Sequence, residues 1–72
     1  MCGIIGISSN KSVSASIISS LKKLEYRGYD SAGIATIFEG KIKEVKSEGR
    51  VDTLEQNFDL KNLKGNIGIG HV

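Results

Sequence analysis

The chain has 72 residues, 39% of them hydrophobic and 25% charged, with no proline and a formal net charge of +2. That is one small domain or part of one, and a chain near this size buries only roughly 60% of its unfolded surface, so its core is thin. The basic residues are scattered, with Lys22-Lys23 the longest run, and aromatic residues are few, which argues against a nucleic-acid surface.

No stretch approaches the ~18 apolar residues of a membrane span. The start lacks a charged region followed by an apolar one, so no secretory leader is expected. A cytoplasmic location follows as the default, and it suits a reduced thiol. One cysteine and one histidine build neither an internal disulfide nor a four-ligand zinc site, and no cofactor or metal is expected.

Residues 2–8 read as a first strand, with Ile4, Ile5 and Ile7 forming a β-branched run of buried character. Ser9-Asn10-Lys11-Ser12 is a polar break, with Asn10 and Ser12 as candidate helix caps. From Val13 the apolar positions Val13, Ile17, Leu21 and Leu24, with Ile18 beside them, fall on one helical face. A helix over 13–25 is therefore expected, with Ser14, Ser16, Ser19, Ser20, Lys22 and Lys23 largely on its wet side. Tyr26 to Gly33 reads as a glycine-punctuated loop in which Gly28 stops the helix.

Ile34 to Phe38 is a second strand, Glu39-Gly40 a tight turn, and Lys41 to Lys46 a third strand at an edge, forming a hairpin with the second. Ser47 to Arg50 is a turn. Val51 to Phe58 is a short helix, and Asp59 to Asn66 a loop plugged by Leu60 and Leu63. Ile67 to Val72 is a further strand. Gly68-Ile69-Gly70 lacks the third glycine and following helix of a dinucleotide fingerprint, so close strand packing is the better account. His71, a lone histidine on a strand, reads as structural. These elements alone define an α+β chain.

Chemistry concentrates in two places. The first is Cys2. Once Met1 is removed, Cys2 carries a thiol and a free α-amine on one carbon. An α-amine has a reference pKa of about 7.7–8.0, so part of it is unprotonated near neutral pH and can take the thiol proton. A lone cysteine is by default a small buried hydrophobe. Here Gly3 and Gly6 leave the backbone beside the thiol uncrowded, so a ligand can approach. The second place is the polar run Arg27, Tyr29, Asp30 and Ser31. Loops often hold functional groups, although Arg27 and Asp30 can also simply pair or cap backbone.

Cys2-Gly3-Ile4-Ile5-Gly6 resembles the opening of the class II glutamine amidotransferases. The stretch Leu24-Glu25-Tyr26-Arg27-Gly28-Tyr29-Asp30-Ser31-Ala32-Gly33 resembles the glutamine:fructose-6-phosphate aminotransferase branch of that family. The phosphoribosyl-pyrophosphate branch typically has His and Gln where this chain has Tyr26 and Tyr29. Gly68-Ile69-Gly70-His71 is similar to the family segment just before Arg-Trp-Ala-Thr-His-Gly, whereas Val72 departs from the Thr usual in the aminotransferases.

The resemblance implies an N-terminal-nucleophile hydrolase fold, an αββα sandwich of which residues 1–72 are the opening, incomplete portion of a type 2 amidotransferase domain. It implies glutamine as substrate and Cys2 as the catalytic nucleophile, with Arg27 holding the N-terminal end of the site and Tyr29 and Asp30 shaping the adjoining loop. In full-length relatives, expected to be homo-oligomers, the ammonia serves the conversion of fructose 6-phosphate to glucosamine 6-phosphate in domains that lie beyond Val72. The family's substrate clamp and its Asn-Gly oxyanion pair lie there too.

Three readings follow: the start of such an amidotransferase, inactive alone; a non-catalytic small protein acting as an interaction module or relic; and a hydrolase completed by another chain. The start of another class II enzyme, such as the phosphoribosyl-pyrophosphate one, is a further alternative. All catalytic readings need Met1 removed, because an acylated Cys2 has no free amine. Intact mass spectrometry is expected to show a chain lighter by one methionine, and quantitative retention of Met1 in soluble product would exclude the N-terminal-nucleophile mechanism for that preparation.

Overall fold

A computed structural model describes residues 3–27 and 30–72, with Arg27 and Lys61 described as backbone only. Its elements run β1 (Ile4–Ser8), α1 (Ser14–Leu24), a 3-10 turn (Glu25–Arg27), β2 (Ser31–Phe38), β3 (Lys41–Glu48), α2 (Val51–Asn57), a second 3-10 turn (Leu60–Asn62) and β4 (Ile67–His71). The strands form one antiparallel sheet in the order β1-β4-β2-β3.

The β2–β3 hairpin is local. Phe38 pairs with Lys41, and the turn between them has both Glu39 and Gly40 at positive φ, 52° and 77°. That handedness matches the right-handed twist of the flanking strands. β4, the last strand in sequence, inserts between β1 and β2, so that Gly70 pairs with Ile5 on one side and Ile34 on the other. β1 and β3 are therefore the edges.

Alternation divides the sheet into two faces. On one, Ile34 and Thr36 of β2 are fully covered, and Ile5, Ile7 and Val45 pack partly against the core. This face carries α1 through Val13, Ile17, Ile18 and Leu21, α2 through Val51 and Leu54, and the plugs Leu60 and Leu63. Gly68 and Gly70 are the residues that β4 turns toward α1. A Cβ on Gly70 would lie 2.5 Å from Ile17 Cγ2 and 3.0 Å from Leu21 Cδ1, and one on Gly68 would lie 2.8 Å from Ile17 Cδ1. The two glycines form a trough into which the apolar stripe of α1 drops.

The opposite face carries Ile4, Ile37, Ile42, Ile67 and Ile69, which are exposed, Ile4 by 79% and Ile69 by 58%. Contiguous apolar surface of this kind is uncommon on a lone domain and marks a contact face.

The structure corrects several expectations. β1 is an edge strand whose Ile4 points away from the core, not a buried strand. Ser31 to Gly33 belong to β2 rather than to a loop, and Ala32 is fully buried. Neither Asn10 nor Ser12 caps α1: the N-cap is Val13, without a side-chain bond, and its own N–H donates to the Gly65 carbonyl at 3.0 Å. Ser14 is buried rather than wet. Gly28 lies outside the described residues. No helix among the described residues is long and apolar enough to cross a membrane.

The trough generates a prediction. Gly70→Ala is expected to destabilise the chain by about 1–3 kcal/mol, the usual cost of overpacking a filled core. Ile17→Ala, costly alone, is expected to recover part of that loss when the two are combined, because it removes the atom that the new methyl meets. Additive losses in denaturant unfolding of the single and double variants would argue against the trough.

Candidate active site

Cys2 and Tyr29 lie outside the described residues, so the site is defined by what flanks them. Gly3 is fixed by a reciprocal pair with the end of β4. Its N–H donates to the Val72 carbonyl at 3.2 Å, and the Val72 N–H donates to the Gly3 carbonyl at 3.0 Å. A Cβ on Gly3 would approach Leu24 Cδ1 to 3.0 Å, so the chain at Gly3 lies directly against the last residue of α1. The start of β1, the end of α1 and the end of β4 thus meet at one end of the sheet.

The segment from Glu25 onward leaves α1 at that same end and is tied down at both of its ends. The Glu25 carboxylate accepts the Val51 N–H at 2.5 Å, across 26 residues of sequence. It supplies the acceptor that Arg50, the N-cap of α2, does not provide. At the other end the Gly49 N–H donates to the Asp30 carbonyl at 2.9 Å. Arg27 closes the 3-10 turn between these ties, and Asp30 is exposed. Gly49 and the first residue of α2 are thereby bonded to Asp30 and Glu25, one through a backbone carbonyl and one through a carboxylate.

A second link between the helices lies alongside. Lys22 Nζ reaches Glu55 Oε1 at 2.5 Å and Asp52 Oδ1 at 3.4 Å. The hydrogen bond to Glu55 is the main reason that the Lys22 pKa is raised. Both partners are well exposed, so this link adds little to stability.

Two features escaped the reading of the sequence. Glu25 sits inside the recognised stretch, but nothing in its local spacing announces a partner 26 residues away. His71 pairs with both Ile4 and Gly33 across the sheet, and its ring lies over Gly33, where Nε2 and Cδ2 take the space of a Cβ. Gly33 thus has a packing reason inside a strand. Among the described residues, no group of three or more His, Cys, Asp or Glu is arranged to hold a metal ion.

No family model matches the chain. Among solved structures, it superposes on the Bacillus subtilis glutamine phosphoribosylpyrophosphate amidotransferase complexed with ADP and GMP with a TM-score of 0.89. The identity is 29%, over all of this chain and 16% of that one. A structure described as the allosteric regulatory enzyme of purine biosynthesis gives 0.87, also at 29% identity, over 15% of its chain. The fold is α+β and matches the part of these N-terminal-nucleophile amidotransferases that the chain covers, the class that the opening residues resemble.

Within that class the sequence is similar, over its full length, to glutamine–fructose-6-phosphate aminotransferase (isomerizing). Identity is 52% to the Bartonella henselae protein and 55% to that of Pyrococcus horikoshii. The chain spans 12% of the length of each of these relatives. The match agrees with the branch that Tyr26 and Tyr29 indicate.

The Glu25 tie is testable without catalysis. Glu25→Ala is expected to cost about 0.5–2 kcal/mol, as loss of a cap does, and to speed hydrogen exchange at the Val51 amide. Glu25→Gln keeps an acceptor and is expected to retain much of the protection. Unchanged Val51 exchange in Glu25→Ala would show that the bond does not form in solution.

Proposed function

We propose that residues 1–72 are the opening part of a class II glutamine amidotransferase domain, and that Cys2 is its nucleophile. The observation that carries this reading is the meeting of Gly3, one residue from Cys2 in sequence, with Leu24 at the end of α1 and Val72 at the end of β4. The whole-chain similarity to glutamine–fructose-6-phosphate aminotransferase supports it.

In this reading the freed α-amine takes the thiol proton. The thiolate attacks the carboxamide carbon of glutamine, and a tetrahedral intermediate forms. It collapses as the C–N bond breaks, with the proton delivered to the departing nitrogen, so that ammonia leaves and a γ-glutamyl thioester remains. Water then cleaves the thioester to glutamate and restores the thiol. Arg27 holds the N-terminal end of the site, and Tyr29 and Asp30 shape its wall. Fructose 6-phosphate and oligomerisation belong to the longer relatives' remaining length, and the setting is cytoplasmic.

The chain alone is inactive in this reading. Losing one oxyanion donor typically costs about 10²–10³ in rate. Positioning of reacting groups accounts for roughly 7–11 kcal/mol of a barrier. The family supplies the oxyanion donors and the substrate clamp from residues that follow this segment.

The test measures glutamate release by the chain, by a chimera continued with the Bartonella henselae relative, and by that chimera carrying Cys2→Ala. Negligible turnover by the chain, turnover by the chimera, and loss of it with Cys2→Ala are expected. Equal turnover by the bare chain would refute the fragment reading, and a folded chimera still active with Cys2→Ala would identify a different nucleophile.

A further inference from the structure

The basic residues look scattered along the sequence, but the fold gathers three of them. Lys41 and Lys43 are alternate residues of β3 and so share one face of the strand, near the hairpin turn. Lys64 arrives from the loop after the second 3-10 turn. The three line one cavity of about 290 Å³ together with Phe38, Glu39 and Asn62.

This cavity is held by built contacts. The Thr36 hydroxyl, 1% exposed at residue level, donates to the Lys64 carbonyl at 2.7 Å and binds that loop to β2. Gly65, at φ 140°, lies so close to β2 that a Cβ there would meet the Ile37 carbonyl oxygen at 2.6 Å. The Gly65 carbonyl in turn accepts the Val13 N–H. Lys64 Nζ stands over the Phe38 ring, 5.6 Å from its centroid, while Phe38 itself remains 42% exposed. Asn62 donates one amide hydrogen to Asp59 Oδ2 and keeps a second for a ligand.

The charge on this cavity is not neutralised. Among the described residues, Lys22 and Lys46 form ion pairs with carboxylates, whereas Lys41, Lys43 and Lys64 form none. Glu39 lines the same cavity, which leaves an excess of positive charge on the lining. Like charges brought together without partners raise the local concentration of anions. An aromatic surface beside them offers an apolar contact to whatever carries the anion.

We propose that this cavity binds a phosphorylated small molecule. Its phosphate is held by Lys41, Lys43 and Lys64, and its apolar part rests on Phe38. The volume is close to the lower end for small-molecule sites, about 300 Å³. The proposal does not depend on the glutaminase reading, because none of these residues has a part in it.

The test titrates the 72-residue chain at low ionic strength with inorganic phosphate and with phenyl phosphate, followed by ³¹P line broadening. Saturable binding is expected, tighter for phenyl phosphate. Lys43→Gln and Lys64→Gln are each expected to weaken it about tenfold, the effect of one charge-assisted contact. Lys23→Gln, on the exposed side of α1, makes the same change in net charge and is expected to leave binding unchanged. Phe38→Leu is expected to erase the advantage of phenyl phosphate while keeping phosphate binding. Binding that does not saturate, or that falls equally in Lys23→Gln, would overturn the proposal. So would saturable binding of a single-stranded oligonucleotide that neither phosphate compound displaces.

Discussion

The contact between α1 and β4 is the constraint on which the other packing depends. An element packed on a sheet is normally held off its backbone by the side chains that fill the gap. Here Gly68 and Gly70 remove the side chains from one strand, and Ile17 and Leu21 fill the space directly against its backbone. The helix is thereby set deep over the middle of the sheet. Ile34 and Thr36 of β2 close one flank of that contact, and Ile5 and Ile7 of β1 the other. A thin core with neither proline nor disulfide gains its definition from this close approach.

How much of this was legible in the sequence depends on the range of the interaction. The helical stripe Val13, Ile17, Leu21 and the tight turn at Glu39-Gly40 are local patterns, and both appear where the spacing puts them. β1 was harder, because a continuous isoleucine run does not reveal which of its two faces is covered. Only the β4 register shows that Ile5 and Ile7 face α1 while Ile4 faces away. Ser31 to Gly33 looked like loop because of their small and polar residues. They are strand because all three pair with β3, and Gly33 also makes room for the His71 ring, an accommodation set by a residue far along the chain.

The candidate site divides in the same way. The chemistry proposed for Cys2 rests on one residue and its sequence neighbours, and Cys2 itself lies outside the described residues. The support of the 25–30 segment was not legible, since it depends on Glu25 reaching Val51 and on Asp30 meeting Gly49. The lysine cavity was equally hidden. Its residues join the hairpin to a loop that the Thr36–Lys64 bond and the Gly65 approach bring alongside. Charge counted along a sequence says little about charge gathered in space.

The strand order adds a last consequence. Among the described residues β1 pairs with β4 alone, across a long stretch of intervening sequence. Gly3 is therefore held by a residue distant from it in sequence: Gly3 and Val72 donate a backbone hydrogen bond to each other. The β2–β3 hairpin can form early, since its closure is short, whereas β1 has no partner until β4 has inserted between it and β2. Fixing the end of the sheet where Gly3 meets Val72 is thus the late and long-range step of folding. Anything that loosens β4, such as a side chain in the glycine trough under Ile17, loosens the position of Gly3 as well. The packing of α1 on β4 and the placement of Gly3 are in this way one structural problem, joined through a single strand.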